Sequence, residues 1–228
     1  MSASDGTRTE DVQRDVPPRK LAKRIALAKA ACPLFGREGY ARASVDALAE
    51  AAGVSTRTLY NHFPGGKAEL FATVVTWTSG EVRDAHTAKV RALLDPARPP
   101  HPDHLERDLT ALARALVRTM FEHSDHFALV RHIHAEVNHV PAEVLEAWKD
   151  AGPRPVARAL AEAMEGLAAA GLIDVHGDAE LAGTHFTALS AQQIVQESHY
   201  GLLPLSEEET DRLLTGGVSA FLRAYRAG

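Results

Sequence analysis

Apolar residues recur at helical spacing along almost the whole chain. Leu21, Ile25, Ala28, Ala31, Cys32 and Phe35 follow one another at intervals of three and four. Pro17 and Pro18 precede them and suit the first turn of a helix, while Gly36 and Gly39 predict its end. Ser44 is a fitting N-cap for a short helix over 45–52, closed by Gly53. Ser55 caps another short helix that reaches Phe63, before Pro64-Gly65-Gly66 breaks it. A long helix is predicted from Lys67 to about Leu94. Four prolines at 96, 99, 100 and 102 then enforce a loop. Helical patterns resume over 103–123, 125–137, 141–151, 153–170, 178–200 and 206–225, each opening on Asp, Ser or Pro. Residues 171–177 read as a short extended link. No stretch alternates polar and β-branched residues long enough for a sheet. The prediction is an all-α chain of nine or ten helices, with a small N-terminal domain and a larger C-terminal one.

Residues 44–63, SVDALAEAAGVSTRTLYNHF, place two short helices around Gly53, the pattern of a helix-turn-helix. Ala49 offers the small side chain that a steep crossing needs, and Gly53 supplies a turn with positive φ. Leu48, Val54, Leu59 and Phe63 form an apolar seam. With Leu59 and Phe63 inward, Thr56, Arg57, Tyr60 and Asn61 lie toward the exposed side. Such a helix fits a major groove, with Arg57 placed for a guanine edge and the hydroxyls for phosphates.

Charge sharpens this picture. The 228 residues carry a net charge of −5, which taken as an average argues against nucleic acid. Segment 17–67, however, holds nine basic residues against Glu38, Asp46 and Glu50, a net +6. Residues 68–228 carry −9 and residues 1–16 carry −2. The basic excess therefore falls on the same fifty residues as the motif, which favours a DNA-binding domain over a helical hairpin with a solvated face. A single cysteine, Cys32, excludes an intrachain disulfide and any multi-cysteine zinc cluster; its place in an apolar stripe predicts an inert core thiol. No apolar run approaches the roughly 20 residues that span a bilayer, and residues 1–16 lack a signal-peptide core. The expected setting is the cytoplasm, with residues 1–16 a disordered arm whose Arg8 or Arg14 reaches a minor groove.

Segment 20–71 resembles the DNA-binding domain of the TetR (tetracycline-repressor) family of bacterial transcription regulators. The resemblance is carried by Ile25 and Ala28, Phe35, Gly39-Tyr40, Ser44-Val45, Leu48-Ala49 and Ala52-Gly53-Val54-Ser55. Thr58-Leu59-Tyr60, His62-Phe63, Lys67 and Leu70-Phe71 complete it. It implies that Ser44 caps the first motif helix and touches phosphate. It implies that Ser55, Thr56, Arg57 and Thr58 face bases and flanking backbone, and that Tyr60, His62 and Lys67 contact phosphates. Where the family usually has two residues between the phenylalanine and the lysine, this chain has three, Pro64-Gly65-Gly66. That extra glycine bears on Lys67 and on the entry of the fourth helix. By the same resemblance, the chain divides into a DNA-binding domain at 17–67 and a ligand-binding and dimerisation domain at 68–228.

The larger domain offers weaker signals. Its last two helices carry apolar faces, Leu181, Phe186, Leu189 and Ile194 on one, and Leu213, Leu214, Val218, Phe221, Leu222 and Tyr225 on the other. The family resemblance implies that these helices form a homodimer bundle. Gly216-Gly217 within the last helix predicts a close helix approach. Candidates for lining an effector pocket are Trp77, Met120, Phe121, Phe127, His132, Glu136, Trp148, Phe186, Gln192 and Gln193, the larger or polar residues on otherwise apolar helices. Eleven of the 12 histidines lie beyond residue 67. The spacings His123/His126 and His132/Glu136, with His134 and His139 nearby, leave a metal-responsive regulator as the alternative. No nucleophile elbow, phosphate-binding glycine loop or HExxH is present, so an enzyme is not expected and no cofactor is predicted. The expected partners are a double-stranded operator, a small-molecule effector and a second copy of the chain. The expected activity is that of a ligand-released repressor.

Overall fold

A computed structural model describes residues 17–227; the expectation for the arm at 1–16 lies outside the described residues. Helix α1 is Pro18–Arg42, α2 Val45–Ala51, α3 Thr56–His62 and α4 Gly66–Leu93. A 3-10 turn at Pro102–His104 leads into α5, Leu105–Glu122, followed by α6, Ser124–Ala135, and α7, Ala142–Ala151. Then come α8, Pro153–Ala169, α9, Ala179–Ser190, α10, Gln192–Glu197, and α11, Glu207–Tyr225. Every segment with helical periodicity is helical, and the fold is all-α. The link after α8 pairs with the chain end, Asp174 N–H donating to Tyr225 O at 2.7 Å beside an isolated bridge between Ile173 and Arg226.

Two details differ from the pattern, each for a packing reason. Helix α1 runs through Gly36, because that glycine lies buried where α6 crosses; a Cβ there would stand 3.2 Å from Ala128 Cβ. The helix turns instead at Gly39, where φ is 79°. The segment expected as one helix over 178–200 is divided at Ala191, where φ and ψ of −124° and −32° leave the helical region. Nearby, α11 crosses the end of α9, and the space a Cβ on Gly217 would need is taken by Leu189 O. The close approach predicted for the glycine pair is thus made within the chain.

Two apolar cores are threaded by α4. One gathers Leu27, Ala31 and Phe35 of α1, Leu48 of α2, Leu59 of α3, Phe63, and Leu70 and Phe71 of α4. The Phe35 and Phe71 rings meet edge to face at 4.9 Å, a geometry that suits their quadrupoles. Leu129 and Ile133 of α6 and Val144 of α7 close the same core. The other joins Val90 of α4 to Leu109, Leu112 and Met120 of α5, Met164 of α8, Phe186 of α9 and Val218 and Phe221 of α11. Full burial of each leucine, isoleucine, valine, methionine or phenylalanine among them contributes roughly 1.5–3 kcal/mol. The motif helices therefore share their core with the body, and no flexible linker separates them.

Candidate nucleic-acid interface

Local capping builds the helix-turn-helix. Ser44 Oγ accepts the Ala47 N–H at 3.1 Å and starts α2. Gly53 takes φ 63° and makes the turn. Ser55 Oγ accepts the Thr58 N–H at 3.1 Å and starts α3, with the Thr58 hydroxyl 2.9 Å away. Thr56 Oγ1 donates to Asp46 Oδ1 at 3.1 Å, which ties the first turn of α3 to α2. Leu48, Leu59 and Phe63 are fully buried and Val54 partly so, as the apolar seam predicts. The outer side of α3 then shows Arg57 and Asn61, both exposed, and Tyr60 with 46% of its surface exposed. A guanidinium, an amide and a phenol on a capped helix are the chemical groups that base edges and phosphates accept from.

Behind this face Arg24 of α1 acts as a clamp. Its guanidinium donates to His62 O, pairs with Glu69 Oε1 at 2.8 Å and lies over the Phe63 ring, 4.4 Å from its centre. The end of α3 and the start of α4 are thereby fixed to α1. In the sequence Arg24 is one of nine basic residues; partners 38 and 45 positions away give no local signal of its role. His62 itself is held below the ordinary histidine range, first by burial and then by Lys20, Lys23 and Arg24. Its Nδ1 is buried with no hydrogen-bond partner among the described residues.

The extra glycine before Lys67 has a steric reason. Gly66 opens α4 with φ 64°, and a Cβ there would stand 3.2 Å from Tyr60 Cε1. Glu69 Oε2 accepts the Gly65 N–H at 2.9 Å, which completes the start of the helix. Lys67 is turned back to α1, where its ammonium donates to Ala41 O at 3.2 Å and lies 4.8 Å from the centre of the Tyr40 ring.

The residues singled out for an effector pocket are dispersed. Met120 and Phe186 are buried in the body's core, against which Phe127 packs, while Phe121, Gln192 and Gln193 are exposed. Trp148 packs at the motif's core and meets His134 edge to face. His132 and Glu136, 3.8 Å apart, lie at the bend of α1: Glu136 Oε2 accepts the Ala41 N–H at 3.1 Å, and a Cβ on Gly39 would overlap Glu136 Oε1. These two residues join the body to the motif domain. Trp77 lines a cleft of about 290 Å³ between α1, α4 and the α5–α6 turn. Among the described residues no three histidine, cysteine or carboxylate side chains come together as a metal would require. No described helix is long and apolar enough to cross a membrane.

Comparison with known proteins matches both parts of the chain. The family model described as bacterial regulatory proteins of the tetR family matches residues 27–74. That of the AefR-like transcriptional repressor C-terminal domain matches residues 107–227. A TetR-family regulator from Mesorhizobium loti is 27% identical, with a TM-score of 0.78 over 92% of this chain and 100% of that one. The flavonoid-responsive regulator FrrA is 29% identical, with a TM-score of 0.61 over 90% and 97% of the two chains. A TetR-family regulator from Pseudomonas syringae is 25% identical, with a TM-score of 0.59 over 90% and 97%. No curated protein sequence matches the chain.

Proposed function

Because the chain belongs to the TetR family of bacterial transcriptional regulators, we propose that it is a repressor that binds a two-fold symmetric operator as a homodimer and leaves it when a small molecule binds. The observation that carries this reading is the outer face of α3, where Arg57, Tyr60 and Asn61 stand exposed on a helix capped and clamped from behind. Arg57 and Asn61 read base edges. Ser44, Ser55, Thr58, Tyr60 and His62 position the phosphate backbone, with Lys67 beside them at the end of α1, while Thr56, its hydroxyl proton given to Asp46, acts there by holding the first turn of α3 in place. Ser44 accepts a helix N–H and keeps its own proton to donate, and the bonded pair Ser55 and Thr58 keeps one hydroxyl proton between them, so the caps serve the fold and the DNA together.

The dimer surface we assign to the outer sides of α9 and α11. Leu181 and Leu189 of α9 are 46% and 45% exposed although both are large and apolar. Gly217 crosses Leu189, which brings the exposed Thr215-Gly216 beside it. A second copy meeting this face would bury two leucines against small residues, and two-fold symmetry would place the recognition helices in successive major grooves. Response to a small molecule is supported by FrrA, whose name marks it as answering to flavonoids. Effector binding would favour a state whose helix spacing fits the operator poorly, which requires unequal affinity for the two states. A regulator of this kind works in the cytoplasm.

The test is a gel-shift titration on the DNA upstream of the protein's own gene, against random DNA of equal length. Arg57→Ala is expected to weaken operator binding about tenfold or more, the range of a lost bidentate base contact, and random-DNA binding much less. Equal loss on both would remove Arg57 from base reading. Failure of the unaltered protein to prefer any upstream fragment would remove the regulator reading itself.

A further inference from the structure

The cleft at Trp77 lies where the motif domain meets the body, and its lining is chemically coherent. Cys32 of α1 and His126 of α6 are buried in its wall, and Trp77 of α4 is partly buried there. Glu81 and Asp125 stand exposed at its rim. A third rim carboxylate, Glu122, is already held by Lys89 at 2.7 Å. Lys29, also of α1, places its ammonium 4.4 Å from the centre of the Trp77 ring. The aromatic face thus already receives a cation, one supplied by the DNA-binding domain.

The protonation of His126 can be derived from its neighbours. Thr78 Oγ1 lies 2.9 Å and 3.2 Å from the carbonyls of Val74 and Val75, to which its single proton is given. With that proton on the carbonyls, the hydroxyl is the acceptor towards His126 Nδ1, 2.9 Å away, and the tautomer this arrangement favours carries its proton on Nδ1. The other ring nitrogen, Nε2, then holds a lone pair, and it has no hydrogen-bond partner among the described residues. Burial, with His123 and His86 nearby, pushes the imidazole down to about 3, so it stays a neutral acceptor. Cys32 is pushed up to about 12, first by burial and then by the fields of Asp125 and Glu81, so its thiol stays uncharged and adds no competing chemistry.

We propose that this cleft binds an organic ammonium, a primary or secondary amine carried on an apolar body, as the effector. The ammonium takes the face of Trp77 between Glu81 and Asp125, and an N–H is within the province of the unpartnered His126 nitrogen. A metal ion is a poor occupant, because no three metal-type ligands converge among the described residues. In taking that face the ligand displaces Lys29, and with it a tie between α1 and α4. The inference rests on the effector-released repressor reading and gives it a site and a ligand class.

The test is calorimetry on the full chain with 2-phenylethylammonium, set against the uncharged 3-phenylpropan-1-ol. The ammonium is expected to bind saturably and the alcohol about tenfold more weakly or not at all, the scale of one lost charge contact. The double variant Glu81→Gln, Asp125→Asn is expected to lose about tenfold for the ammonium. Lys29→Met, which vacates the Trp77 face, is expected to gain about threefold. Circular dichroism of each variant secures the comparison. Absence of saturable ammonium binding in both the unaltered protein and Lys29→Met would overturn the proposal, as would equal binding of alcohol and ammonium or an unaffected double variant. The gel shift run on the same protein separates the two readings: DNA bound with no ammonium response removes only the cleft, whereas ammonium bound with no operator removes the regulator.

Discussion

His86 and His126 are buried as neutral imidazoles, and this makes stability depend on pH in a definite direction. Burial pushes His86 down to about 4, although its ring N–H donates to Leu116 O at 3.3 Å, a bond that works the other way. His126 is pushed to about 3, again chiefly by burial. An unfolded histidine titrates near 6.5, so between there and the folded values the unfolded chain binds more protons. Stability is therefore full above about 6.5 and falls as the pH is lowered toward 4 and then 3, by up to roughly 1.4 kcal/mol per pH unit for each histidine. Urea midpoints measured from pH 7.5 to 4.5 are expected to fall over this window, and His86→Gln to flatten the fall; a level profile in the unaltered protein would contradict the burial of both rings. The same scale separates what a sequence displays from what it hides. The caps Ser44 and Ser55 were legible because each bonds three residues ahead. The clamp at Arg24 was not, because its partners lie in other elements.

Between elements, the joint of α1 and α6 decides how the body holds the DNA-binding helices. Glu136 meets the backbone of α1 at Ala41, and the bend at Gly39 makes room for its carboxylate. The i, i+4 spacing of His132 and Glu136 in the sequence suits pocket or metal chemistry as well as this joint, since spacing says which side chains share a face and not what that face meets. Gly39→Ala combines a positive φ with overlap on Glu136 Oε1, and is expected to cost about 1–3 kcal/mol. Thermal melting is expected to show that loss, and Glu136→Ala in the same chain to recover part of it by removing the overlap. Recovery of none would place the penalty in the backbone and in the second overlap, on His132 Nδ1 at 2.9 Å. Helix ends followed a similar rule. Proline-rich loops and N-capping serines mark their boundaries locally, whereas α1 passes through Gly36 and α9 stops at Ser190 where helices from elsewhere cross.

At the scale of the molecule, the charge of −5 conceals a basic motif domain on an acidic body, and the structure further divides the basic part. Arg24, Lys29 and Lys67 are engaged within the protein, whereas Arg57 on α3 faces outward. The apolar faces of the last helices divide likewise. Phe186, Ile194, Leu214, Val218 and Phe221 fill the chain's own core, and Leu181 and Leu189 remain outside for the dimer we propose. The pair Leu181→Glu, Leu189→Glu is expected to leave helicity intact, because both side chains are half exposed, and to shift sedimentation from dimer to monomer. Operator affinity should fall at least tenfold with it, since half-sites are then bound singly. An unchanged sedimentation coefficient would place the dimer on another face. The sequence by itself determined the all-helical course, the helix-turn-helix and the polar side of α3, because these arise from contacts within a turn or two of chain. Only the tertiary structure decided that Arg24 clamps, that Glu136 joins the domains, that Lys29 covers Trp77 and which leucines stay uncovered. Those outcomes depend on residues brought together from far apart, and periodicity marks a face as apolar or charged without saying what comes to lie against it.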